Sequence, residues 1–168
     1  MEKSEAEWIY GMVENLTCEI LAEMAGIRLC RATGPAADLK KKPMVAVCAA
    51  IGGDYTINMR FLAEKQLFYR LAQNMLEREP DDEEIQEYAM EFVNVVCGRV
   101  ISEIINATHI KVRLMPVEYR VRSGSTLGEK SEVQTLELVS DEQEYVVFAW
   151  TTMAIEEMLR RSESNGKI

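Results

Sequence analysis

Hydrophobic positions recur along the first half of the chain with two periods, one typical of helices and one of strands. Ile9, Leu16 and Ile20 share one face of a predicted helix that Ser4 can cap and Gly26 can end. A nearly continuous apolar run over 44–51 predicts a central strand. The predicted elements of this half are a helix over 4–26, a strand over 27–32, a loop over 33–43, and a hairpin of strands over 44–51 and 55–61 that turns at Gly52–Asp54.

The second half has the same order of elements. Its long helix begins with acidic residues, which favour the positive end of the helix dipole. The predicted elements are helices over 62–78 and 81–107, strands over 109–115 and 117–122, a loop over 123–130, a hairpin of strands over 132–139 and 144–150, and a short amphipathic helix over 153–161.

The two halves also share a short motif. Asn15 and Cys18 of the first helix have the spacing of Asn94 and Cys97 in the long helix. When the halves are aligned on the two Asn residues, Met12 takes the place of Glu91, and Trp8 takes the place of Glu87. The match predicts an internal repeat whose first copy has lost its acids, although a chance match explains the motif equally well.

The long helix carries a narrow polar stripe. Glu87, Glu91, Asn94 and Gly98 fall within about 60° of one another at about 100° per residue. A helical Gly costs about 1 kcal/mol relative to Ala, and the close approach of a partner would explain that cost at Gly98. The opposite side of the helix is apolar and is predicted to pack: Ile85, Ala89, Phe92, Val93, Val96, Val100 and Ile104.

Composition limits the function classes. The chain has 168 residues, 48% of them hydrophobic, and a net charge of -9, which indicates one globular domain and argues against nucleic acid or an anionic membrane as the main partner. No apolar run reaches the length of a membrane span, and the acidic N-terminus lacks a signal core, so we expect a cytoplasmic protein. Four cysteines without CxxC spacing are predicted to be buried free thiols: Cys18, Cys30, Cys48 and Cys97.

Several chemistries are disfavoured by the sequence. The single histidine, His109, argues against a His-rich metal site and against a Cys–His or Ser–His nucleophile pair. Gly52–Gly53 is too short for a phosphate-binding loop, and the acids of 77–84 lack the spacing of a calcium loop. Most methionines have core-filling positions, whereas Met90 and Val95 flank the polar stripe and can extend a docking surface. Taken alone, the spacing of Glu91 and Asn94 is most typical of a solvated helix face.

The complete pattern resembles the CheC/CheX family of chemotaxis phosphatases, and its CheX branch most closely. The family mark is a Glu, two residues and an Asn on a long helix, then a Gly one turn later and a Pro after the next strand. Glu91, Asn94, Gly98 and Pro116 supply it, and the order of elements agrees over about 5–150. Glu87 departs from the family, which has Asp or Ser there, and Pro116 comes about one residue early.

The resemblance implies one α+β domain over 1–152, with a mostly antiparallel sheet, long helices and a pseudo-two-fold relation between halves, followed by a C-terminal helical extension and tail over 153–168. It implies hydrolysis of the aspartyl phosphate of a CheY-type response regulator. Asn94 would position the attacking water and Glu91 would pair with the regulator's Lys. Glu87, Met90, Val95 and Gly98 would bind the partner.

The resemblance also implies that the partner brings its own Mg²⁺ and that this chain needs neither a metal of its own nor a covalent intermediate. CheX-like members form homodimers through sheet edges, which predicts a homodimer with one site per subunit because Met12 replaces the acid of the first half. Two alternatives remain open at this point. One is a non-catalytic interaction module related to flagellar switch proteins, and the other is a phosphatase for a receiver outside chemotaxis.

Overall fold

The computed structural model describes residues 5–34, 42–54, 56–122 and 133–151. Within these ranges the chain forms three helices and seven strands. In chain order they are α1 (Glu5–Ala25), β1 (Leu29–Arg31), β2 (Met44–Gly53), β3 (Ile57–Glu64), α2 (Lys65–Leu76), α3 (Asp82–Thr108), β4 (Val112–Leu114), β5 (Glu118–Arg122), β6 (Val133–Ser140) and β7 (Tyr145–Thr151). None of the described helices is both long and apolar enough to cross a membrane.

The strands form one antiparallel sheet with the order β1-β6-β7-β3-β2, and β4 and β5 both pair with β2 at the far edge. This order is symmetric about the central β3–β7 pair. In the first half α1 leads to an edge strand and then to the β2–β3 hairpin, and in the second half α3 leads to the opposite edge and then to the β6–β7 hairpin. The predicted α+β class, the antiparallel sheet and the pseudo-two-fold relation are therefore confirmed.

The main core lies between one face of the sheet and the three helices. Alternate residues of β2, β3, β6 and β7 point into it, as the period of two in a strand requires. Phe61 of β3 sits at its centre, with ring centroids 5.1 Å from Phe92 of α3 and 5.2 Å from Phe148 of β7. Edge-to-face contacts of this kind add about 0.5–1.5 kcal/mol each to the burial of the rings. They fix α3 against the centre of the sheet.

The helix ends follow their local sequence signals. Gly26, just beyond α1, has a φ of +66°, a left-handed conformation that favours glycine. At the start of α3 the Asp81 side chain accepts from the Glu84 amide, and the Glu84 side chain accepts from the Asp81 amide. This capping box satisfies two donors that the helix itself leaves without partners. Pro80 and the capping box together separate α2 from α3.

The hairpin turn predicted at Gly52–Asp54 begins later, because Gly52 and Gly53 still belong to β2 and pair with Arg113 and Val112. Two further predicted boundaries were wrong by three residues each. Residues 62–64 were assigned to a helix, but they extend β3, because the paired strand β2 begins at Met44 and gives them backbone partners there. The strand predicted over 109–115 covers only Val112–Leu114, because His109 adopts a left-handed conformation that ends α3. The predicted cap at Ser4, the loop over 123–130 and the helix over 153–161 lie outside the described residues.

Pro116 lies between two short strands that follow one another along the same partner. Ile51 pairs with Leu114 and Cys48 pairs with Glu118, so two residues of β2 face three residues of the edge strand. The extra residue makes a bulge, and proline is tolerated there because the strand loses no ladder hydrogen bond. Pro116, which comes about one residue earlier than in the family pattern, therefore lies at a bulge of the edge strand.

The prediction that all four cysteines are buried was wrong. Cys97 is buried on α3, and burial raises the pKa of its thiol to about 12. Cys30 is exposed, because it lies on the short edge strand β1 and pairs with Val139 on the sheet face opposite the helices. Cys18 and Cys48 are half-buried, and all four are free thiols.

A buried ion-pair cluster anchors α2 to the β6–β7 turn. The guanidinium of Arg70 donates to both carboxylate oxygens of Glu144, over 2.8 and 2.7 Å, and to Asp141 Oδ1 over 2.7 Å. Ser140 lies against the same Glu144 carboxylate. The hydrogen bond from Arg70 lowers the pKa of the Asp141 carboxyl. Since the charges are paired and hydrogen-bonded, the cluster holds the second hairpin against α2, which in turn packs against α3.

Candidate functional site

The predicted polar stripe on α3 faces solvent. Glu87, Glu91 and Asn94 are exposed, and Gly98 is half-buried. Residues three and four apart on a helix have Cβ atoms about 5–6 Å apart, so the two carboxylates and the amide form one continuous polar row. Met90 and Val95, which were predicted to flank the stripe, are half-buried at its two borders. The structure therefore brings together all six residues proposed for this face.

The opposite side of α3 is fixed in the core. Every residue that was predicted to pack there is buried: Ile85, Ala89, Phe92, Val93, Val96, Val100 and Ile104. The helix also contacts α1, α2 and strands β2, β4 and β5. A helix held on so many sides presents its exposed residues in a defined orientation, which is what a site that acts by positioning requires.

The acids at the start of α3 fall into two groups. Asp82 pairs with Lys65 over 3.1 Å, and Glu84 pairs with Arg78, which lowers the pKa of the Glu84 carboxyl. For Glu83, Glu87 and Glu91, which follow one another at intervals of one turn, the described part of the chain offers no ion-pair partner. The polar row is thus a negative surface that is not neutralised from within.

Glu83 was not among the residues predicted for the site. It lies one turn before Glu87 and is exposed, so it extends the polar row toward the helix start. The spacing of four residues was available in the sequence, but the acids of 77–84 were interpreted together as a solvated helix start. The structure separates Glu83 from Glu84, whose carboxylate is used in the capping box.

Gly98 is not required by packing within the chain. A Cβ atom built on Gly98 meets nothing within 4 Å outside its own helix backbone. The same holds for Gly11 of α1. An alanine at position 98 would therefore fit within the described chain and would favour the helix.

The equivalent face of α1 carries different chemistry. Asn15 is exposed, like Asn94, but Trp8 and Met12 stand where the aligned long helix has its acids. Trp8 keeps 37% of its surface exposed. Met12 is half-buried and packs against the main core, so its side chain has a packing role at the border of the core.

The described residues contain no group of three or more His, Cys, Asp or Glu side chains that is arranged to hold a metal ion. The chemistry that the stripe itself offers is therefore that of an amide, which both donates and accepts hydrogen bonds, next to carboxylates that can pair with a cation.

Comparisons with solved structures show the same fold in several chemotaxis proteins and in FliY. A chemotaxis protein CheX from Desulfovibrio desulfuricans is 16% identical, with a TM-score of 0.67 over 84% of this chain and 97% of that one. The CheX–CheY–BeF3–Mg²⁺ complex from Borrelia burgdorferi matches at 14% identity, with a TM-score of 0.64 over 84% and 95%. FliY from Thermotoga maritima matches at 13% identity, with a TM-score of 0.65 over 98% of both chains.

The match to a family model is more specific than the likeness in fold. No curated protein matches the chain in sequence. The family model described as "Chemotaxis phosphatase CheX" matches residues 45–138, which is more than half of the chain and includes all of α3 with its polar stripe. The chain belongs to the CheX family of chemotaxis phosphatases.

Proposed function

We propose that this protein hydrolyses the aspartyl phosphate of a CheY-type response regulator, using the exposed stripe of α3. The observation that carries the proposal is an amide and a carboxylate side by side on an exposed helix face, in a chain that belongs to the CheX family. The complex of a CheX protein with CheY from Borrelia burgdorferi supports a regulator of this kind as the partner.

Asn94 is the proposed catalytic residue. An acyl phosphate is already reactive, so the enzyme's main task is to hold a water molecule in line with the phosphorus atom. The amide of Asn94 can accept a hydrogen bond from that water and donate one to a phosphoryl oxygen at the same time. Neither a carboxylate nor an apolar side chain offers both functions.

Glu91 is the proposed docking residue. Its carboxylate would pair with the active-site Lys of the regulator, one turn away from the water that Asn94 holds. Glu87 would extend the same negative surface. Since neither carboxylate has an ion-pair partner in the described chain, docking does not have to break an existing pair.

The bare backbone at Gly98 would let α3 enter the regulator's pocket closely, while Met90 and Val95 would contact the apolar rim of that pocket. The regulator would bring its own Mg²⁺, which neutralises charge on the phosphoryl group. This chain's own residues would orient the water and hold the two proteins together.

We further propose a cytoplasmic homodimer with one active stripe per subunit. The single site follows from α1, where Met12 and Trp8 stand in the places that Glu91 and Glu87 have on α3.

A non-catalytic interaction module related to flagellar switch proteins is the second candidate. Glu91 and Asn94 favour the phosphatase, because a protein that only captures a partner has no use for a water-positioning amide. A receiver outside chemotaxis is the third candidate.

The test is the rate of phosphate loss from receivers that have been phosphorylated with a small-molecule phosphodonor. Wild type should accelerate the loss from a CheY-type receiver, and Asn94→Asp, which keeps the shape but loses the donor, should not. Binding without acceleration by wild type would contradict the phosphatase and favour the interaction module. Acceleration confined to receivers from other pathways would place the enzyme outside chemotaxis.

A further inference from the structure

The first turn of α3 carries three consecutive acids, and two of them have cationic partners within the fold. The carboxylate of Asp82 lies 3.1 Å from Lys65 Nζ. The guanidinium of Arg78 donates to both carboxylate oxygens of Glu84. Glu83 stands between them, is exposed, and has no ion-pair partner in the described part of the chain. The fold therefore neutralises its two neighbours and leaves the charge of Glu83 uncompensated.

The uncompensated acid lies on the same side of α3 as the proposed catalytic amide. Positions 83 and 94 are eleven residues apart, which at about 100° per residue puts Glu83 within about 20° of Asn94. Asp82 and Glu84 are turned away from Asn94 by about 120° and about 80°. Of the three acids, the one without a partner is thus the one in line with the polar row.

The charge of the polar row is confined to the N-terminal half of α3. Glu83 and the two acids that follow it at intervals of one turn come before Asn94, whereas Gly98 and Ser102 continue the same side of the helix after it. A partner that lies along the row meets negative charge at one end and an uncharged surface at the other. Only one orientation of the partner places its cationic region against the acids.

Glu83 is too far from the proposed reaction to take part in it. Eight residues of helix separate Glu83 from Glu91, a rise of about 12 Å, and Asn94 lies about 16 Å away. A receiver whose active-site Lys pairs with Glu91 would therefore meet Glu83 outside its pocket, on the rim. A charge at the rim of an interface acts mainly on the rate of association and on its dependence on salt, because it attracts the partner before the surfaces touch.

We infer that Glu83 is a specificity-determining residue, which selects receivers that carry a Lys or Arg on the rim of the pocket, about 12 Å from the active-site Lys. The same pair orients the receiver along α3. The inference rests on the proposed function, from which it takes the receiver and the pairing of its Lys with Glu91. It adds a residue outside the motif of Glu91 and Asn94, and a property of the partner that the motif does not specify.

The test is the rate of association of the full chain with a CheY-type receiver that carries beryllofluoride in place of the phosphoryl group, so that docking is measured without turnover. Glu83→Gln should lower the association rate constant by about 3- to 10-fold at low ionic strength and leave dissociation nearly unchanged. The difference should shrink to less than about twofold at about 0.5 M salt, because the Debye length is then only about 4 Å. The kcat for phosphate loss should stay the same.

The matched control is Glu103→Gln. Glu103 is also an exposed acid of α3, but it is turned about 180° away from Asn94. The variant loses the same charge and should associate at nearly the rate of wild type. An equal loss in Glu83→Gln and Glu103→Gln would assign the effect to net charge and overturn the inference.

Charge reversal distinguishes docking from a structural role of Glu83. An acid in the first turn also stabilises the helix dipole, so Glu83→Gln should lower the melting temperature slightly in either case. Glu83→Lys should slow association further. A receiver in which one Lys or Arg of the rim is replaced by Glu should then associate faster with Glu83→Lys than with wild type. If no receiver variant of this kind restores association, the inference is wrong.

The inference and the proposed function can fail separately. Phosphate release that depends on Asn94, together with an unchanged association rate in Glu83→Gln, would overturn the inference and keep the phosphatase. Salt-dependent association through Glu83 without any acceleration of phosphate loss would keep Glu83 as a docking residue and overturn the phosphatase.

Discussion

Helices α1 and α3 occupy equivalent places in the fold but present different surfaces. Both lead into an edge strand and then a hairpin, and both have an exposed Asn and an open glycine. On α3 the neighbours of Asn94 are Glu91 and Glu87, and on α1 the neighbours of Asn15 are Met12 and Trp8. The difference shows that the fold supplies two similar helix faces. The side chains one turn before the Asn determine whether such a face can bind a cationic group of a partner.

The largest expected effect is on the amide. Asn94→Ala should lower the phosphatase rate by at least about 100-fold, because the attacking water loses its positioning group. Asn15→Ala is the matched control and should leave the rate unchanged. Thermal unfolding should be nearly the same for both variants, since both residues are exposed. Equal rates for wild type and Asn94→Ala would remove α3 from the mechanism.

The next effect concerns docking. Glu91→Gln should raise KM for the phosphorylated receiver by about 10- to 100-fold, because the partner's Lys is then left without its pair. The KM of wild type should rise with ionic strength, and that of the variant should rise less. Met12→Gln, at the equivalent place on α1, serves as the control. A larger rise in KM for Met12→Gln than for Glu91→Gln would indicate that α1, and not α3, binds the receiver.

Substitutions of the two helical glycines, Gly98 and Gly11, distinguish an effect on stability from an effect on the phosphatase rate. Gly98→Ala and Gly11→Ala should each stabilise the fold by up to about 1 kcal/mol, because both positions are helical and a Cβ meets nothing at either. Only Gly98→Ala should reduce the phosphatase rate, by several-fold, through contact with the receiver. Melting temperature and rate are measured on the same samples. An unchanged rate in Gly98→Ala would contradict the close approach.

A smaller effect is expected at the border of α1. If Met12 were fully buried, Met12→Ala would lower the free energy of unfolding by a few kcal/mol. Because the side chain is only half-buried, we expect a loss of about 1 kcal/mol. Urea unfolding of the variant gives the value. A cost above about 3 kcal/mol would mean that Met12 is packed more fully than its exposure indicates.

The smallest effect concerns Glu14 of α1, which pairs with Arg31. Arg31 lowers the pKa of Glu14, so this pair contributes stability above the unfolded pKa of about 4.3 and loses it as the pH falls through the folded pKa. Arg31→Ala should lower the free energy of unfolding only slightly at pH 7, because Arg31 is largely exposed and water screens the ion pair. The cost should disappear at acidic pH when unfolding is measured at both values. A cost that does not depend on pH would assign it to packing against Tyr10.

The sequence determined the elements with clear periodicity. The helical repeat of apolar residues predicted α3 to within one residue at each end, because its N-terminal cap and its packed face are local features. The polar stripe followed from the same repeat, since the angle between helix positions is set by the backbone alone. The two boundaries that failed by three residues, at 62–64 and 109–111, depend on strand pairing and on a left-handed cap, which no local pattern reports.

Only the tertiary structure decided which polar groups have a partner within the described chain and which remain exposed for binding another molecule. Glu83 and Glu84 are adjacent acids in the sequence, but the fold uses Glu84 in a cap and leaves Glu83 in the row with Glu87. Val121 and Val45 are both valines in strands, but Val121 lies on an edge strand, whereas Val45 lies on β2 and is paired on both sides. Residue type and spacing determine which interactions a side chain can make. Contacts with residues distant in sequence then determine which of these groups have a partner within the fold and which remain exposed to solvent.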